Sequence, residues 1–393
     1  MIGFRFTTAV VTLILLYAGG VQSAAEEFIN VRNPVSLPQR IAAERVPVGI
    51  PDDYKPCVTL LPDGELLLVM FYPVQEGGAY REDMILYRSA DGGQTWGPRK
   101  VLPLLGREPY FSQLRDGTLF ITTHLLTQDV RNKDGYDLSY VHRSTDRGQT
   151  WTTLRIDAED VPGAAPKTWT HTSRNVLELK DGSLIMGVSA GSSIDYLWRS
   201  QDKGETWDKS LACKVEGFDV TKQGFPWHAE TVFFQARNGD ILGVARCFSG
   251  ALPALPDSDI PEGNDQVERM ALFRSRDGGA NWTLEPELGN YYAEMYQALL
   301  RLDDGRLLLT FTVRDLRPPL GVHAVLGQET EDSFVLDFDH DRLVLDEKTP
   351  PSQHSGGGFG GTVQLQDGTL VTAYTYRDGA GKTHAEVVRW RLP

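Results

Sequence analysis

The chain has 393 residues, with 39 lysines and arginines against 53 aspartates and glutamates, for a net charge of −14. That balance excludes a nucleic acid or an anionic membrane held by a general positive field. Aromatics at 10 %, with 39 glycines and 22 prolines, fit many short strands and tight turns rather than long helices.

The first segment reads as a leader. Arg5, the apolar run Ala9–Tyr17 and the small residues Val21–Ala25 form a signal peptide over residues 1–23. The run is shorter than the ~20 residues of a spanning helix. The expectation is an exported protein, periplasmic or secreted, with no membrane association after cleavage. Losing the leader removes only Arg5 among charged residues and moves the net charge to about −15. Residues 24–393 are then expected to form one domain.

From residue 57 onward a hairpin signature recurs: an apolar run, Asp-Gly or Asn-Gly, then another apolar run. Its turn glycines are Gly64, Gly117, Gly182, Gly239, Gly305 and Gly368, at intervals of 53 to 66 residues. Six such units predict six sheets of about four antiparallel strands, closing into an all-β, six-bladed β-propeller. "EFINVRNPV" is expected to supply the outermost strand of the last blade, beside "HAEVVRWRL" from the C-terminus.

A second repeat is interleaved with the first. Ser-x-Asp-x-Gly-x-(Thr/Asn)-Trp occurs at 89–96, 144–151, 200–207 and 275–282. Each copy falls where a blade's third strand would turn into its fourth. There Asp and Ser satisfy turn backbone, Gly allows positive φ and Trp packs between strands. One active centre cannot use four such copies, so the motif is structural. Three cysteines leave at least one thiol unpaired; Cys213–Cys247 is an open pairing. No metal-ligand spacing appears, and no cofactor is expected.

These Asp-boxes on hairpin units resemble the sialidase superfamily, the BNR-repeat family, over nearly all of the chain from about residue 27. In a propeller the start of each innermost strand opens onto the active face. Nine residues before the turn glycines stand Lys55, Glu108, Ser173, Glu230, Tyr296 and Phe359. Two residues earlier stand Asp53, Gly106, His171, His228, Glu294 and Gly357. Carboxylates, histidines, a lysine and a tyrosine thus recur at one channel-mouth register.

The resemblance implies cleavage of glycosides by a tyrosine nucleophile that a glutamate activates, with arginines clamping an anionic substrate. In "AETVFFQARNGDILGVAR" it implies Glu230 as the activating carboxylate and Arg246, sixteen residues on, as a clamp. Arg314 or Arg317 in "VRDLRPP" would supply another. The family pattern breaks elsewhere. Lys55 stands where the family has a clamp arginine, and Phe359 stands at the nucleophile's place. The "REP" of Arg107 and Glu108 belongs to blade two rather than blade one. Glu76, Glu82 and Asp83 lie near the expected acid without matching it.

Tyr296, one blade earlier, is therefore the substitute nucleophile or a stacking surface. His171 and His228 are the proton-transfer candidates. Trp169 and Trp227 are sugar platforms or loop packing. The expected partner is a glycan. Two other readings remain open: a non-catalytic carbohydrate-binding propeller, and a polysaccharide lyase with Tyr296 beside Lys55.

Overall fold

A computed structural model describes residues 27–191, 195–216, 230–248, 252, 255, 267–285, 288–330, 334–355 and 361–393. The leader, Trp227, His228 and Phe359 lie outside the described residues.

The six turn glycines all close hairpins. Each donates its N–H to the carbonyl three residues back, at 2.9–3.0 Å, with φ between 84° and 101°. Only glycine adopts that conformation without a Cβ penalty. Around these turns the strands assemble into six antiparallel units. Blade one is Tyr54–Leu60, Leu66–Glu76, Ala79–Ser89 and Lys100–Leu102. Blade two is Arg107–Gln113, Leu119–Leu125, Leu138–Ser144 and Thr152–Ile156.

Blade three has an inner strand broken into Thr170–Thr172 and Leu177–Glu178, followed by Leu184–Ala190 and Asp195–Ser200. Its fourth strand is reduced to the bridges Arg199–Asp208 and Tyr196–Ala212. Blade four is Val232–Gln235, Ile241–Phe248, Glu268–Ser275 and Asn281–Leu284. Blade five is Glu294–Arg301, Leu307–Val313 and Gly321–Glu329, edged by Phe334–Leu336 and Arg342–Val344. Blade six is Thr362–Gln364, Leu370–Arg377 and Thr383–Trp390, completed by Arg40–Val48.

The N-terminal assignment needs one correction. The outermost strand of blade six is Arg40–Val48, not "EFINVRNPV". Glu27–Arg32 lies beyond it and also pairs with Arg342–Val344 of blade five. It ties two blades together.

Apolar side chains on facing sheets fill the gap between each blade and the next. Leu67, Val69 and Leu86 of blade one meet Leu119 and Ile121 of blade two. Val371 and Val387 of blade six meet Leu68 and Ile85 of blade one, which closes the ring. All six inner strands contribute to one cavity of about 480 Å³, from Val58 in blade one to Val363 in blade six. That convergence is the central channel of a β-propeller.

The Asp-boxes sit at the third-to-fourth strand turns. In the second copy Asp146 accepts from Ser144 Oγ at 2.8 Å and from the Thr150 N–H at 2.9 Å, and Ser144 Oγ accepts from the Gly148 N–H. The same bonds recur around Asp91, Asp202 and Asp277. Cys213 and Cys247 both belong to the core between blades three and four. The pairing left open for them is not made: Cys57, Cys213 and Cys247 are all free and buried.

Candidate active site

Four of the register residues share one backbone state. Lys55, Glu108, Glu230 and Tyr296 have φ of 51°, 51°, 69° and 58°. For a residue with a Cβ this conformation costs about 1–2 kcal/mol. At three of them the ladder skips a residue: between Tyr54 and Cys57, Arg107 and Tyr110, and Met295 and Ala298. Such bulges re-aim side chains. Here they turn Lys55, Glu108 and Tyr296 off their sheets, toward one another and toward Glu230.

The four are joined by ion pairs. Lys55 Nζ bonds Glu108 Oε1. Arg174 Nη2 reaches Glu108 Oε2 at 3.1 Å and Glu230 Oε1 at 2.6 Å. Arg246 Nη1 reaches Glu230 Oε2 at 3.0 Å and the Tyr296 hydroxyl at 3.4 Å, while its Nη2 pairs with Glu268. Arg314 donates to the same hydroxyl. Lys55 Nζ stands 4.6 Å from the Tyr296 ring centroid. The phenol is thus ringed by cations on its face and at its oxygen.

Ionisation follows from these contacts. Burial opposes the charge on Glu108, but Lys55, Arg107 and Arg174 overcome it and hold the carboxyl well below its usual range. Burial is likewise outweighed at Glu230 by Arg246 and Arg174. Both are carboxylates at neutral pH. Burial, reinforced by Glu230, pushes the Tyr296 hydroxyl up, so it is a phenol. Burial brings the Lys55 ammonium down to about 8 against the pull of Glu108.

A cavity of about 150 Å³ opens beside this network. Its walls include Glu108, Arg174, Glu230, Arg246 and Tyr296 on one side, and His124, His171, Thr123 and Ser173. The His124 and His171 rings lie 5.6 Å apart, and Trp169 meets His171 edge-on at 4.9 Å. Burial holds His124 neutral.

Five residues expected from the sequence therefore line one cavity: Glu108, His171, Glu230, Arg246 and Tyr296. Lys55 and Arg314 contact them directly. Arg107 lies behind, 3.3 Å from Glu82 and 3.5 Å from Glu108. Glu82 is 1 % exposed, and burial pushes its carboxyl up. Glu76 is the exposed end of strand Leu66–Glu76, and Asp83 pairs with Arg81 and Arg131. Arg317 is not in this cavity. It stacks on Tyr291, 3.7 Å from the ring centroid, in a separate pocket. Of the two clamp candidates in blade five, Arg314 contacts the Tyr296 hydroxyl and Arg317 does not line this cavity.

Sequence reasoning missed Arg174, His124 and Glu268. Arg174 directly follows the blade-three register residue Ser173. That serine turns inward to its own backbone, accepting from the Gly187 N–H and donating to the Asn175 carbonyl.

A ring of antiparallel blades around a buried cluster of carboxylates, arginines and a tyrosine defines a sialidase-type propeller. The BNR repeat-like domain matches residues 36–245, and the chain belongs to that family, within the sialidase superfamily. A xyloglucanase of Paenibacillus sp. is 29 % identical over 178 residues, 43 % of this chain and 15 % of its own. A sialidase of Micromonospora viridifaciens is 27 % identical over 204 residues, 44 % of this chain and 31 % of its own. The chain spans less than a third of the length of these two curated relatives.

Among solved structures, a Dyadobacter fermentans protein of unknown function superposes with a TM-score of 0.67 at 21 % identity, over 93 % of this chain and all of its own. The NanB sialidase of Streptococcus pneumoniae gives 0.61 at 13 % identity, over 88 % and 70 %. At these identities the likeness is one of fold.

Proposed function

We propose that this protein is an exported glycoside hydrolase that removes terminal sugars from glycans, with Tyr296 as nucleophile and Glu230 as its base. One observation carries the reading: a single nitrogen of Arg246 touches both the Glu230 carboxylate and the Tyr296 hydroxyl. Base and nucleophile are thereby gathered at one point of a buried cavity.

Tyr296 passes its hydroxyl proton to Glu230 as its oxygen attacks the anomeric carbon. Arg246 and Arg314, already bonded to that oxygen, stabilise the charge that develops on it. The bond to the leaving group breaks, and His171, on the cavity wall from blade three, donates the proton that group needs. Water then displaces the tyrosine from the sugar, with the proton transfers reversed. The family membership and the names of the two relatives, a xyloglucanase and a sialidase, support a glycosidic substrate.

Hydrolysis of an aryl α-sialoside beside a panel of other aryl glycosides tests this. At least one is expected to turn over, with kcat falling ~10²-fold or more in Glu230→Gln and Tyr296→Phe. Full turnover by Glu230→Gln would remove the assignment. The Lys55 ammonium beside Tyr296 favours a second reading, a lyase that eliminates across a uronate with Tyr296 as base. An unsaturated product absorbing in the ultraviolet separates the two.

A further inference from the structure

A second cavity, of about 280 Å³, is walled by Arg32, Arg317, Arg342, Tyr291, Glu294 and Asp339 among others. It starts from the strand that carries the candidate nucleophile. Glu294 stands two residues before Tyr296, roughly 7 Å along the backbone.

Its charges are arranged for an anion. Arg32 and Arg342 face each other directly across the ladder between Glu27–Arg32 and Arg342–Val344. Like charges so placed destabilise a sheet unless something neutralises them. Glu294 pairs directly with Arg342, and Arg317 acts on it only through its field. Its Oε1 accepts from Arg342 Nη2 at 2.5 Å, and its Oε2 is taken by the Tyr291 N–H at 2.9 Å. Arg342, 7 % exposed, spends Nε on His323 Nδ1 and so leaves Nη1 for the cavity it lines.

Arg32 is exposed and has no ion pair among the described residues. Arg317 is exposed too. It is oriented by its stack on Tyr291 rather than by a carboxylate. Stacking of this kind fixes the planar fork while leaving its edge open. In a chain with 53 acidic residues, Arg32 and Arg317, which line this cavity with no ion pair among the described residues, call for an external anion.

The geometry points to an acidic-sugar subsite beside the central cavity. The arginine forks take a uronate carboxylate or a sulfate ester, and the exposed Asp339 carboxylate accepts sugar hydroxyls. This mixture of three arginines with the carboxylates of Glu294 and Asp339 suits an anionic carbohydrate better than a bare anion. That the bound sugar belongs to the substrate rests on the glycoside hydrolase reading; the binding does not.

Calorimetric titration with glucuronate, glucose 6-sulfate, glucose and inorganic sulfate tests the subsite in the wild type, Arg317→Ala, Arg32→Ala/Arg317→Ala and Glu230→Gln. The acidic sugars are expected to bind at least tenfold tighter than glucose and than inorganic sulfate. Arg317→Ala should cost about tenfold, and the double variant should erase the preference. Glu230→Gln should leave it intact. Both arginines are exposed, and an unchanged unfolding temperature confirms the variants are folded.

Absence of binding, equal binding of glucose, or acidic-sugar binding that survives the double variant would overturn the proposal. So would sulfate binding as tightly as its sugar ester, which marks a bare anion patch. Loss in Glu230→Gln alone would place the anion in the central cavity. Failure of the hydrolase reading looks different: acidic-sugar binding intact, with no glycoside turned over.

Discussion

Arg174 holds the centre of the site together. One nitrogen spans Glu108 and Glu230, so two buried carboxylates coexist as anions. Replacing it with methionine leaves them facing each other with one cation fewer. Arg174→Met should cost about 3–5 kcal/mol of stability, as broken buried ion pairs do. It should also raise the pKa of Glu230, moving the acid limb of kcat/KM to higher pH. Denaturant unfolding and a pH–rate profile check the two effects separately.

Lys55 makes the opposite test. Its folded pKa of about 8 lies below its unfolded value. Between the two the unfolded chain holds a proton the folded one lacks, so this group's contribution to stability rises with pH through that window. Its contribution to the site runs the other way, because a neutral amine no longer balances Glu108. Activity should therefore fall above about pH 8, and Lys55→Arg should extend it to higher pH. An unmoved alkaline limb would show that Lys55 is not the titrating group.

At this scale the sequence was informative where register spoke. Counting back from the turn glycines finds Lys55, Glu108, Glu230 and Tyr296, because one positive-φ conformation recurs at that place in blades one, two, four and five. Arg174 escaped because the inner strand of blade three is interrupted between Thr172 and Leu177. The residue beside the register position does the work there.

Among elements, the Asp-box is the most legible. All its bonds lie within a few residues, so composition and spacing are enough to read it. Each box aspartate is held low by hydrogen bonding. The Thr150 hydroxyl, then the Thr150 N–H, bring Asp146 down to about 2. A carboxyl depressed in the folded state adds stability above its unfolded pKa and loses it as pH falls toward the folded one. Unfolding temperature should thus drop between about pH 4 and pH 2, and Asp146→Ala should flatten part of that drop. At neutral pH the same change should cost about 1–3 kcal/mol, with glycan binding unchanged. The N-terminal strands were harder to place. "EFINVR" and "RIAAERVPV" both alternate, and nothing local says which joins Thr383–Trp390, more than 300 residues away.

Considered as a whole, the molecule is a ring with a single closure. Blade six takes its fourth strand from the opposite end of the chain, with Ala43 opposite Trp390 and Val48 opposite Ala385. Without Arg40–Val48 the strand Thr383–Trp390 becomes a bare edge, open to pairing with other chains. A chain beginning at residue 49 should be recovered in aggregates, while one beginning at residue 34 should stay soluble with a lower unfolding temperature. Soluble yield and thermal unfolding of the two truncations decide this.

That same closure sets a timetable. Arg40–Val48 leaves the ribosome more than 300 residues ahead of its partner Thr383–Trp390. At ~5–20 residues per second the early strand waits on the order of tens of seconds for its mate. Blades one to five can assemble in the order of synthesis, from neighbours close in sequence. The sixth cannot. The nascent protein is therefore an open arc, with two unpaired rims to be shielded until Thr383–Trp390 arrives.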